Sequence, residues 1–111
     1  MNKFLITYYT APEAMAQMAT ATEEQKAAGM QLWMDWKASV GDAVLDFGAP
    51  LMPGTAVDTS GGTSASGKDL TGYSILQAES MEAVQKMLAS HPHHHWHDSA
   101  TIEVHEMIAM G

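Results

Sequence analysis

Five of the six histidines in this 111-residue chain fall in one stretch, His91-Pro92-His93-His94-His95-Trp96-His97-Asp98. Imidazole titrates near neutral pH and is the commonest metal ligand. Alternate residues of an extended segment project to the same side. That spacing groups His93, His95 and His97 as a candidate set for a divalent cation, with His91 and Asp98 as extra ligands. Pro92 breaks any helix, so no i, i+4 pair is preset, and a loop converges on a metal only by losing conformational freedom. Two other readings stand beside the metal. In one, His91 or His93 is a general base lining a pocket. In the plainer one, the loop is solvated and one or two of its histidines are hydrogen-bonded.

A base of this kind needs an orienting group. Asp46, beside the Gly48-Ala49-Pro50 bend, is the candidate: its carboxylate would fix the imidazole tautomer so that the other ring nitrogen acts as base. The plainer reading of Asp46 is a solvent-facing carboxylate, and of Asp42 a turn residue bonded to local amides. A flat ligand would stack on Trp36, on the flank of a helix, or on Trp96, in the histidine loop. Tyr8 and Met34 complete the candidate wall. Ten methionines fill an irregular core or line an adaptable binding surface. Tyr8 and Tyr9, adjacent on one strand, point to opposite sides of it.

These residues must be positioned by a small number of elements. Phe4 to Tyr9 is rich in β-branched and aromatic residues and reads as an inner strand. Pro12 stops it and can open a helical turn over Glu13 to Met18. Thr22-Glu23-Glu24-Gln25 has the form of a capping box. It opens a helix to Val40 with Met30, Trp33 and Met34 as its apolar stripe and Trp36 and Val40 on one flank. Gly29 inside it is read as a point of close packing, and Gly41 ends it. A second strand runs Ala43 to Phe47. Residues 53–69 are mostly Gly, Ser, Thr and Ala, with Thr59 to Lys68 read as a flexible hairpin tip whose flanks can form a β-arm. A third strand spans Tyr73 to Ala78. Ser80 caps a helix through Met81, Val84, Met87 and Leu88, and a last strand spans Thr101 to Ile108, with Glu103 and His105 on one face.

The order β-α-β-β-α-β predicts an α+β, ferredoxin-like domain, a four-stranded antiparallel sheet with helices on one face. The other face has no cover from its own chain, which predicts a homodimer with two sheets face to face. Residues 1–111 read as one domain, with one modest core. The formal net charge of -8 and the five Lys plus Arg argue against a nucleic-acid partner. There is no cysteine, hence no disulfide or thiolate site. No run reaches the ~20 apolar residues of a membrane span and no signal peptide is evident, so a cytoplasmic location is expected.

With that topology, the chain resembles the YCII-related family of dimeric α/β-barrel domains. The resemblance is carried by Lys3-Phe4-Leu5-Ile6-Thr7-Tyr8-Tyr9, by Trp33 to Trp36 before Gly41-Asp42, and by Asp46-Phe47-Gly48-Ala49-Pro50-Leu51. Thr71-Gly72-Tyr73-Ser74-Ile75, and His91-Pro92-His93 before Ile102-Glu103-Val104, complete it. It implies the ferredoxin-like fold, the dimer and a pocket between sheet and helices. Some relatives are thought to use a His–Asp pair whose His lies in the first helix; here that helix has none, and a loop histidine with Asp46 would replace it. The expectation is a small enzyme without an organic cofactor, acting on a small flat enolisable or phenolic compound. The alternatives are a non-catalytic dimeric binding or accessory protein and a metal-dependent enzyme.

Overall fold

A computed structural model describes residues 1–110. Strand β1 (Asn2–Tyr9) leads to helices α1 (Pro12–Ala19) and α2 (Glu23–Val40), then strand β2 (Val44–Pro50). Two short strands, β3 (Thr55–Val57) and β4 (Thr63–Ala65), precede β5 (Leu70–Ala78), helix α3 (Met81–Ala89) and strand β6 (Thr101–Glu106). Single 3-10 turns occupy Gly41–Ala43 and Pro92–His95. The four long strands make one antiparallel sheet in the order β2-β5-β1-β6, the arrangement expected of a ferredoxin-like α+β domain. The first crossover differs from a single helix, because the chain breaks at Thr20-Ala21 between α1 and α2.

Local chemistry sets these boundaries. Pro12 sits in the first turn of α1, where its missing N–H costs nothing. Thr22 closes a complete capping box on α2: the Gln25 N–H donates to its Oγ1 at 3.1 Å, and its own N–H donates to Gln25 Oε1 at 2.9 Å. Gly41 ends α2 at a φ of +58°, and the Ser80 Oγ accepts the Ala83 N–H to start α3.

Period-two alternation divides the sheet. Phe4, Ile6 and Tyr8 of β1 and Ser74, Leu76 and Ala78 of β5 are buried on the side where Trp36, Val84 and Leu88 meet them. By the same alternation Leu5, Thr7, Tyr9, Tyr73, Ile75, Glu103 and His105 fall on the other side. All of them except Thr7 are half-buried or exposed.

Helix α2 lies differently from expectation. Its inward stripe is Gly29, Trp33, Trp36 and Val40, an i, i+4, i+7, i+11 series. Trp36, placed on the flank by the sequence, is 3% exposed, because its indole N–H donates to the Met87 carbonyl of α3 at 2.9 Å. Met34, expected in a pocket wall, is 43% exposed, and Met30 is more exposed still. Gly29 marks no close packing, since an added Cβ would meet nothing within 4 Å.

Beyond the sheet, β2 and β5 continue as a two-stranded ribbon. The Leu51 N–H donates to Thr71 O and the Ser66 N–H to Gly54 O, and β3 then pairs with β4. Every residue of β3 and β4 is exposed. The chain exposes 7611 Å², against about 6,000 Å² for a compact monomer of its mass. No helix among the described residues is long and apolar enough to cross a membrane.

Candidate functional site

The histidine segment folds inward at two points. Its 3-10 turn buries His91 (0% exposed) and His93, and leaves His94 and His95 in solvent. The His93 N–H donates to His91 Nδ1 at 3.0 Å. That nitrogen must therefore carry the lone pair, which leaves the proton of neutral His91 on Nε2. From there the bonds run one way. His91 Nε2–H donates to the Tyr8 phenol oxygen at 3.2 Å, Tyr8 donates to Ser74 Oγ at 2.9 Å, and Ser74 donates to the Phe47 carbonyl at 2.8 Å. The chain of donors ends on a carbonyl, with no proton left over. Burial raises the Tyr8 phenol to about 12. Burial first, then the neighbouring imidazoles, pushes His91 down to about 3.

This geometry does not offer His91 as a base. Both of its ring nitrogens are engaged, and aromatic rings enclose it: Trp36 at 4.3 Å, Trp33 at 4.4 Å and Tyr8 at 5.1 Å between centroids. These side chains fill the space between β1 and α2, one part of the region where a pocket was expected. His93 donates from Nε2 to the Tyr9 carbonyl at 3.0 Å, and burial lowers its pKa as well. The two histidines pin the loop to β1.

The other expected groupings do not form. Asp46 is exposed and takes its hydrogen bonds from the Gly48 N–H at 2.8 Å and the Tyr73 hydroxyl at 3.2 Å; none comes from a histidine. His97 Nδ1 accepts from the Ser99 N–H and hydroxyl. His93, His95 and His97 therefore do not converge, and among the described residues no three His, Asp or Glu side chains gather as a metal site. The ring of Trp96 lies against His97, outside the aromatic cluster.

A different set of polar groups assembles on the opposite side of the sheet. Tyr73, Thr7 and Glu103 are direct cross-strand partners on β5, β1 and β6, so their side chains form a row across three strands. Asp46 extends the row through its bond to the Tyr73 hydroxyl, and that bond raises the Tyr73 pKa. At the other end the Glu103 carboxylate accepts from the Tyr9 hydroxyl at 3.4 Å, and His105 Nε2 lies 3.5 Å from the same oxygen. In the middle, Thr7 is 9% exposed, and its buried hydroxyl has no hydrogen-bond partner among the described residues. Such an orphan costs about 1–3 kcal/mol.

The row opens at Tyr9 and Glu103 into a groove of about 520 Å³, lined also by Thr10, Lys68, Asp69 and Ser99. Two carboxylates and one ammonium give it a slightly negative balance, which suits a neutral hydroxylated molecule better than an anion. A carboxylate flanked by a phenol and an imidazole can accept a proton, and an unpaired hydroxyl can donate to a ligand oxygen. Tyr73 and Thr7 were not among the residues singled out by sequence. The only signal for them was the alternation of Leu5, Thr7 and Tyr9 away from Phe4, Ile6 and Tyr8.

No family model matches the chain, and no curated protein matches it. Among solved structures it is similar to 5-chloro-2-hydroxyhydroquinone dehydrochlorinase from Burkholderia phenoliruptrix AC1100, determined in complex with 2,5-dihydroxybenzoquinone. The similarity covers 91% of this chain and 90% of that one, at 20% identity and a TM-score of 0.49.

Proposed function

We propose that the chain is a cytoplasmic homodimer of the YCII-related, dimeric α/β-barrel kind, its two sheets face to face. In this reading it is a small enzyme without an organic cofactor, and its ligand is a small, flat, neutral phenol or enol held against the polar row. The observation that carries this reading is the buried, unpartnered hydroxyl of Thr7 between Tyr73 and Glu103. A fold keeps an unsatisfied buried polar group at a cost, and function is the usual reason. The Thr7 hydroxyl, sealed in the free chain, would donate to a ligand oxygen on turning outward about χ1. The Glu103 carboxylate would take the proton from the adjacent O–H or C–H, leaving the negative charge on the ligand, while Tyr9 and His105 would hold the carboxylate in place. The base is thus Glu103 rather than a loop histidine, and His91 and His93 are positioning residues that hold β1 and the loop. The second subunit would exclude water from the row and strengthen each of these interactions.

Resorcinol is a suitable probe, being flat, neutral and phenolic with exchangeable ring C–H groups. The wild-type protein should bind it with amide chemical-shift changes at Thr7, Tyr73 and Glu103, and should accelerate its ring deuteration in D2O. Thr7→Val should weaken binding about tenfold while stabilising the fold by about 1 kcal/mol. Glu103→Gln should return deuteration to the solvent rate. Binding without faster deuteration would leave a binding protein in place of an enzyme, and an unperturbed row would remove the site.

A further inference from the structure

The β3–β4 arm at the end of the ribbon is a part of the molecule the site does not use. Its turn is built with care. One Asp58 carboxylate oxygen accepts from the Ser60 N–H, the Ser60 hydroxyl and the Gly62 N–H. The Asp58 N–H donates to the Gly62 carbonyl at 2.8 Å. Yet the strands it joins, Thr55–Val57 and Thr63–Ala65, pair only with each other, and all of their residues are exposed. An isolated two-stranded hairpin is marginal in water; it needs further strands or a packed face. Val57 at 68% exposure and Met52 at 85% show that this chain supplies no such face.

The surface left over indicates what does. The chain exposes 7611 Å², about 1,600 Å² above the compact expectation. Two such chains together hold an excess of about 3,200 Å², within the range buried by obligate homodimers. Part of the uncovered apolar surface lies on the helices, with Met15 and Met18 on α1 and Met30, Leu32 and Met34 on α2; the rest is on β2, the ribbon and the chain ends, among them Leu45, Met107 and Ile108. Met30 and Met34 are one turn apart, as are Met15 and Met18, so each helix presents a methionine ridge. Flexible thioethers suit a surface that must accept another chain.

We infer that the β3–β4 arm is exchanged between two copies of this chain, the Val57 side of each arm packing on the partner's α1–α2 methionine ridges. This rests on the homodimer proposed above and adds to it. The sheets close the polar row, and the arms hold the two subunits together.

The chain has no cysteine, so introduced thiols are unique. Sedimentation velocity should show a dimer for the full chain. Replacing residues 54–67 by an Asn-Gly turn should raise the dimer dissociation constant about 100-fold, and Val57→Asp about tenfold, with the far-ultraviolet circular dichroism of Val57→Asp unchanged. A mixture of Val57→Cys and Met34→Cys chains should give an interchain disulfide that neither variant gives alone. Unchanged dimer affinity in both arm variants, or no disulfide above the single-variant controls, overturns the inference. If the dimer and the Glu103-dependent deuteration of resorcinol both survive loss of the arm, the arm inference falls and the site reading stands. If the arm variants dissociate but wild-type deuteration was never above solvent, the site reading falls and the arm stands.

Discussion

A buried neutral histidine makes stability depend on pH, and His91 sets the sign. Its folded pKa lies at about 3, below the ~6.5 of the unfolded chain. Between those values the unfolded state binds the extra proton, so the stabilisation is complete above about pH 6.5 and is lost as pH falls toward 3. The slope approaches about 1.4 kcal/mol per pH unit within that window. Chemical denaturation at pH 7 and pH 5 should show the loss, and His91→Gln should be less stable at pH 7 but flatter across the same interval. An equally steep fall in His91→Gln would assign the effect to His93, whose pKa burial also lowers, or to carboxylates instead. At this scale the sequence was half legible. The histidine run announced that imidazoles mattered, but only packing decided that His91 and His93 turn inward while His94 and His95 do not. Thr7 was invisible, because a threonine in an apolar strand looks like any β-former until its hydroxyl is found without a partner.

Elements were more legible than residues wherever a local signal was complete. The capping box at Thr22 and the Ser80 cap both formed as read, since each is settled within four residues. The face of α2 was misread because Met30 and Met34 are as apolar as Trp36 and Val40, which with Trp33 make the true stripe. The choice between them is made by α3, whose Met87 carbonyl draws in Trp36. Strand β2 offers a test of how tightly an element is held. Its pairing with β5 is irregular between Asp46 and Ala49, and Gly48 sits there at a φ of +81°. A Cβ on Gly48 would lie 1.7 Å from the Tyr73 carbonyl oxygen, so the strands cannot stay in register around it. Gly48→Ala should therefore cost about 2–4 kcal/mol, combining backbone strain with a steric clash. Urea unfolding of the variant against wild type measures it, and a loss under about 1 kcal/mol would mean that β2 shifts freely. Such a shift would also release Asp46 from Tyr73 and disturb one end of the polar row.

For the whole molecule, the order of elements was enough to expect one covered and one uncovered sheet face, and the four-stranded sheet carries that pattern. The sequence does not disclose how the leftover surface is distributed: a polar row on the open sheet face, and apolar side chains on the helices, the arm, β2 and the chain ends. That distribution makes the proposed dimer answer to salt in a particular direction. Each chain carries a formal charge of -8, so two copies repel one another at long range. The Debye length falls from about 14 Å to about 4 Å between 0.05 and 0.5 M salt. Contacts between methionine ridges and the apolar side chains of the arm gain nothing from low ionic strength, and the Asp58 carboxylate at its tip adds to the repulsion. The dimer should thus tighten as salt is added, the reverse of an interface held by ion pairs. Because folding and association are linked, Tm should rise with protein concentration, and its rise should be reached at lower concentration in 0.5 M than in 0.05 M salt as repulsion is screened. Thermal melts over a concentration series at both salts read this directly. A Tm independent of concentration would mean that the chain folds alone and leaves its exposed methionines in water.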